Sequence, residues 1–176
     1  MKERTLTAVL LGCIIMPVAL MGKEVRNMTG ITITSPAFTH MAPIPARYTC
    51  DGQDINPPLK IDGVMQSAKS LALVLDDPDA PAGVWVHWVA WNIPPHTREI
   101  RENSMPADAV QGLNSWKRTI YGGPCPPSGS HRYFFKIYAL DTIFDLASSS
   151  NKADLERAMQ GHIIARGELI GTYRKK

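Results

Sequence analysis

The sequence concentrates charge of neither sign. Its net charge of +3 over 176 residues is spread along the chain, with no basic stripe and no aromatic–basic repeat. Neither the electrostatic footprint of duplex binding nor a stacking platform for single strands is present, which argues against nucleic acid as a partner. There is no HExxH pair for zinc and no GxSxG elbow for a serine nucleophile, so the strongest short signatures of metal-dependent and serine hydrolysis are missing. Internal repeats and low-complexity tracts are absent as well, which removes solenoids and disordered arrays. The apolar run from Leu6 to Met21 falls short of the about 20 residues that a bilayer span needs, and Pro17 interrupts it. Cysteine is limited to Cys13, Cys50 and Cys125.

What is present describes an ordinary globular chain. An apolar fraction of 44% with 20% charged residues is enough for one domain with a sizeable core. Fourteen prolines and thirteen glycines punctuate short apolar runs, which favours many short strands joined by turns and a mainly β fold over a helical bundle. Residues 1–27 read as an export segment preceding a domain over 28–176. Lys2 and Arg4 stand before the apolar run, and Gly22 and Lys23 end it. The expected location is therefore periplasmic or otherwise exported. Leu10-Leu11-Gly12-Cys13 resembles a lipobox, whereas a start at Met28 would leave a cytoplasmic protein.

The chain is organised around Leu71 to Pro94, LALVLDDPDAPAGVWVHWVAWNIP. Leu71 to Leu75 is apolar on both phases and reads as a buried strand ending near Pro78. Alternation puts Asp77 on the face of Leu71, Leu73 and Leu75, where a carboxylate needs a partner. In the return strand, alternation puts Trp85, His87, Val89 and Trp91 on one face and Val86, Trp88, Ala90 and Asn92 on the other. Asp79 is expected to bind the backbone of its own turn.

Elsewhere, Ile31 to Thr34 and Leu59 to Ile61 read as short strands. The proline-rich chain between them is extended and suited to wrapping a sheet edge. Arg98 to Lys117 lacks periodicity and reads as a long surface excursion. Asn151 caps a short helix through Gln160 that Gly161 stops. Ile163 to Tyr173 reads as a last strand, with an edge that could serve a homodimer.

A second stretch, Tyr121 to Asp141, carries a loop of glycines, prolines and serines into a strand. His131 and Tyr133, two apart, share a face with Phe135 and Ile137. Gly122-Gly123 and Ser128-Gly129 can adopt positive φ at little cost, and successive N–H groups in such turns form concave nests for phosphate or carboxylate. With His87 and His131 nearby the set would make a small anion site in which Asp77 accepts a hydrogen bond from one imidazole. Other readings use the same residues: a core histidine at His87, a two-His-one-carboxylate metal site, or an Asp–His pair for weak hydrolysis. Cys50 and Cys125 both lie in loops, and either a disulfide or two free thiols is compatible with that.

DDPDAP, VWVHW, GGPCPPSGSHRYFFKIYAL and GHIIARGELIGTY occur in this order over about Ile31 to Tyr173, and together they resemble the phosphatidylethanolamine-binding protein family in its prokaryotic, Raf-kinase-inhibitor-like branch. The resemblance implies a sandwich of two antiparallel sheets with few helices. It also implies a non-enzymatic role in binding phosphate-type small molecules or lipid head groups, without a cofactor or resident metal. Carried over residue by residue, the family's pocket falls on Asp77, His87, Gly123, His131 and Tyr133. An inhibitor of a kinase or protease acting on a protein target through surface loops is the alternative it suggests. Cys125 stands where eukaryotic members carry a proline.

Overall fold

The computed structural model describes residues 30–175; the export segment and the lipobox at Cys13 lie outside them. Eight strands and one α-helix are formed in this range: β1 (Thr32–Thr34), β2 (Leu59–Asp62), β3 (Ser70–Asp77), β4 (Trp85–Ile93), β5 (Glu99–Ile100), β6 (Val110–Gln111), β7 (Ser130–Leu140), α1 (Lys152–Met159) and β8 (Ile163–Arg174). They make two antiparallel sheets, a small one in the order β1-β2-β5 and a large one in the order β6-β4-β3-β7-β8. The expected sandwich is therefore the fold. Its main core lies between the sheets, where Leu71, Leu73 and Leu75 of β3 and Tyr133, Phe135 and Ile137 of β7 meet Ile33, Leu59 and Ile61 of the small sheet. Fully burying a side chain of this size contributes about 1.5–3 kcal/mol.

The excursion from Arg98 to Lys117 is less free than its aperiodic sequence suggests. It supplies β5 to the small sheet and β6 to the large one. Two-residue strands are too short to leave a period-2 signal, because their pairing comes from the neighbour and not from their own pattern.

One departure from alternation decides the geometry of the site. Leu75 pairs with Trp88, but Asp76 pairs with Val86, so His87 is the extra residue of a β-bulge. Trp88 and Ala90 pack into the main core, while Val89 and Trp91, with Val86, pack into a second cluster on the outer face. His87 thus does not share the face of Val89 and Trp91 that strict alternation assigns it. The bulge turns its ring inward, to 5.2 Å from the Tyr133 ring.

The outer face of β3 and β4 is covered by α1. Asn151 caps that helix with its side chain accepting from the N–H groups of Ala153 and Asp154, and Asp154 returns a bond to the Asn151 N–H. Gly161 follows with φ of 81°, a conformation that glycine adopts without strain. Leu155 and Met159 pack on Val74, Val89 and Trp91. Asp76, 1% exposed, points to the same side. It accepts from Lys136 Nζ at 2.7 and 3.0 Å and from Lys152 Nζ at 2.7 Å. A buried carboxylate is tolerable only when paired, and this one ties helix, β3 and β7 together.

The edge of β8 is closed. Thr172 donates to Ala42 O, while Ile44 N–H and Met41 N–H donate to Thr172 O and Ile170 O, and the N–H groups of Gly30 and Ile31 reach Arg166 O. The proline-rich segment wraps this edge, which takes up the backbone groups that strand-to-strand dimerisation through β8 would need.

Replacing Asp76 by Asn should lower stability by about 2–4 kcal/mol, because two ammonium groups lose their counter-charge at a largely buried position. Urea denaturation reads this as a lower midpoint at unchanged slope; an unchanged midpoint would mean that the triad stabilises nothing.

Candidate functional site

Strand β3 ends at Asp77 because Pro78 has no N–H to continue the ladder. Asp77 is 3% exposed and His131 is 7% exposed. His131 donates Nδ1–H to Asp77 Oδ2 at 2.7 Å, and the Asp79 N–H donates to the other Asp77 oxygen at 2.8 Å. The turn is held by Asp77 and not by Asp79, contrary to expectation. Asp79 instead accepts a fork from Arg132, with Nε at 2.9 Å and a terminal nitrogen at 2.7 Å, and a third bond from the Arg132 N–H at 2.9 Å. That guanidinium pulls the Asp79 carboxyl down to about 2. The two aspartates so fix the turn to the start of β7.

His87 is oriented by a different partner. Its Nδ1–H donates to Gly122 O at 2.7 Å, and its ring stands edge-on to Tyr133 and, at 5.1 Å, to Trp116. Burial lowers the His87 pKa, against the opposing pull of the Gly122 carbonyl and Asp77. With Nδ1 bonded in both rings, each Nε2 is left without a protein partner among the described residues. Tyr133 lies beside the Asp77 carboxylate and the Cys125 backbone, yet its buried hydroxyl makes no hydrogen bond to either. Burial and the Asp77 charge raise the phenol pKa, so this hydroxyl keeps its proton.

The glycine loop differs from the predicted nest at its first pair and agrees at its second. Gly129 has positive φ, at 69°, whereas neither Gly122 nor Gly123 does. Both are needed for close approach: a Cβ at Gly122 would lie 2.6 Å from the Trp116 ring, and one at Gly123 would lie 2.5 Å from Tyr48 O. Their N–H groups are also engaged, Gly122 with His87 O at 3.0 Å and Gly123 with Asp54 Oδ1 at 2.6 Å. Asp54 is the site residue that sequence reasoning missed. It sits at φ of 55° in the turn that begins at Cys50, and Cys50 forms a disulfide with Cys125, their Cα atoms 5.4 Å apart. Cys50 N–H bonds Pro124 O, and Tyr121 donates its hydroxyl proton to Tyr48 O at 2.7 Å.

The structure therefore brings Asp77, His87, His131 and Tyr133 together, with Gly123 on the neighbouring wall. A depression of about 150 Å³ opens on that wall, lined by Asp54, Trp116, Arg118, Gly122, Gly123 and the disulfide. Asp77, His87, His131 and Tyr133 do not line it. Among the described residues no three His, Cys, Asp or Glu side chains converge as a metal site, and no hydroxyl of a serine or threonine bonds either imidazole.

Two outcomes follow from this geometry. An unfolded histidine titrates near 6.5, and the folded His87 lies lower. Its contribution to stability should be full above about pH 6.5 and lost as pH falls below it, because the unfolded chain then binds the proton more readily. Urea midpoints between about pH 7.5 and 5 should fall less in His87→Gln, and equal slopes would contradict the assignment. Reducing Cys50–Cys125, which closes a sequence separation of 75, should cost about 2–4 kcal/mol. Thermal unfolding with and without a reductant measures this, and an unchanged Tm would remove the bridge from the stabilising contacts.

A family model described as phosphatidylethanolamine-binding protein matches residues 34–174. A UPF0098 protein of Methanothermobacter thermautotrophicus is 51% identical over 150 residues, covering 82% of this chain and 99% of the relative. Another from Pyrococcus horikoshii is 50% identical over 151 residues, 81% of this chain and 76% of the relative. Among solved structures, a phosphatidylethanolamine-binding protein homolog from Chlamydia trachomatis superposes with a TM-score of 0.81 at 42% identity, over 84% of this chain and 99% of that one. Escherichia coli YbcL superposes at 0.79 with 30% identity, over 84% and 100%. With most of its length matched in sequence and in fold, the chain belongs to the phosphatidylethanolamine-binding protein family, among its prokaryotic members.

Proposed function

We propose that this protein is a non-enzymatic binding protein that takes a phosphate-type anion, free or as the head group of a lipid or metabolite. The observation that carries the reading is the Tyr133 hydroxyl, buried without a hydrogen bond beside the Asp77–His131 pair. A buried unpaired donor is rare in a folded protein and calls for an explanation. A phosphate oxygen accepting from Tyr133, with Nε2 of His131 and His87 as further donors, would satisfy all three. The nearest depression, on the Trp116 and Gly122 wall against which His87 packs, also carries Arg118 and its positive charge. The family description, phosphatidylethanolamine-binding protein, agrees with a ligand of this chemistry. The Cys50–Cys125 bridge supports an exported protein in an oxidising compartment.

Because burial keeps His87 neutral near pH 7, pairing with an anion requires that it gain a proton. Calorimetry of inorganic phosphate and of phosphoethanolamine in buffers of different ionisation enthalpy should show proton uptake on binding. Affinity should weaken as pH rises through the histidine range. His131→Ala should lose about tenfold or more, the value of a charge-assisted hydrogen bond of about 1.5–3 kcal/mol. His87→Ala should abolish the extra proton uptake. Affinity undiminished in both variants would place the anion elsewhere.

A further inference from the structure

Six large apolar side chains are exposed among the described residues, and three of them, Val84, Trp116 and Ile120, belong to two segments joined by the Trp85–Trp116 ring contact, with Trp116 also lining the depression beside Gly122. Residues 116–120, Trp-Lys-Arg-Thr-Ile, are exposed without interruption. They are nevertheless rigidly presented. The buried Asn114 accepts from the N–H groups of Trp116 at 3.0 Å and Arg118 at 3.1 Å, and its amide donates to Ile120 O at 2.9 Å. Asn114 N–H and O bond Arg118 O and Lys117 N–H, each at 2.9 Å. Trp116 leans on Trp85 with ring centres 5.3 Å apart, which links this turn to the exposed segment ending at Val84. Neither Lys117 nor Arg118 makes an ion pair among the described residues, whereas the nearby Glu156 is paired with Lys152 at 3.5 Å.

We propose that this turn docks the protein on an anionic lipid bilayer, with Trp116 and Ile120 entering the head-group layer and Lys117 and Arg118 meeting lipid phosphates. Apolar residues exposed in a cluster mark an interaction surface. The pairing of an interfacial aromatic and a branched apolar side chain with two adjacent uncompensated cations fits a bilayer surface. A stable protein partner would need a patch of about 20–30 residues, and a turn of five offers far less. The docking brings the wall of the anion site against the bilayer without depending on the pocket reading.

Co-sedimentation of the full chain with vesicles tests this. The protein should sediment with mixed phosphatidylcholine and phosphatidylglycerol, sediment poorly with phosphatidylcholine alone, and be released as salt shortens the Debye length. Lys117→Glu with Ile120→Ser, both outside the proposed anion contacts, should reduce vesicle association by about tenfold or more and leave phosphate calorimetry unchanged. A wild-type chain that ignores the anionic vesicles, or a double variant that sediments like wild type, overturns the proposal; the first outcome would favour a protein partner for the turn. His131→Ala should keep sedimenting. Vesicle binding in a chain that takes no phosphate would keep the docking and sink the pocket reading alone.

Discussion

The site depends on one extra residue in β4. If β3 and β4 ran in unbroken register, His87 would project outward with Val89 and Trp91, beneath α1 and on the wrong side of the sheet from Asp77. The skipped pairing between Leu75–Trp88 and Asp76–Val86 gives His87 to the inner face. There it meets Tyr133 and Trp116 and bonds Gly122 O. A bulge costs a ladder position but re-aims a side chain, and functional sites use bulges for that purpose. The flanking apolar residues hold the register so firmly that the bulge cannot slip: Leu73, Val74 and Leu75 are fully buried, as are Val89 and Ala90 opposite.

The same strand divides two adjacent carboxylates between two jobs. Asp76 and Asp77 are both nearly inaccessible, and the period of two sends them to opposite faces. Asp76 meets two lysines and fastens the helix. Asp77 meets an imidazole and a turn N–H, partners that leave the Nε2 of His131 available. Burial is equally severe for both, so the difference in role comes from what stands opposite: two ammonium groups for one, and an imidazole with a turn N–H for the other.

Much of the fold was legible in the sequence because its determinants are local. The alternation of β7 and the Asn151–Asp154 capping box with Gly161 act within a few residues, and the structure reproduces those elements to within a residue or so. The features that were not legible are the nonlocal ones. A bulge leaves the composition of β4 unchanged and appears only against the partner strand. Gly122 and Gly123 read as flexible because glycine permits positive φ, but they are glycines here because Trp116 and the Tyr48 backbone come too close for a Cβ. Asp54 lies 69 residues from the N–H it accepts, and no spacing rule connects them. The histidine–carboxylate contact was expected, yet the choice of His131 over His87 required the register.

Asp54 also changes what the site demands of a ligand. A glycine nest with free N–H groups would attract an anion at any pH. Here the Gly123 N–H is already satisfied by a carboxylate, and a second carboxylate, Asp77, stands behind His131. An incoming dianion would therefore meet two carboxyl groups. Arg132 cannot offset them, since its guanidinium is committed to Asp79. In the proposed binding mode the compensation would come from Arg118 on the neighbouring wall and from a proton taken up by His87, whose pKa burial lowers. If an anion binds here as proposed, replacing fixed backbone donors by a group that titrates would make that binding conditional on a proton, and would bias the pocket toward ligands that can bring one or sit where the field of a negatively charged surface raises its local concentration.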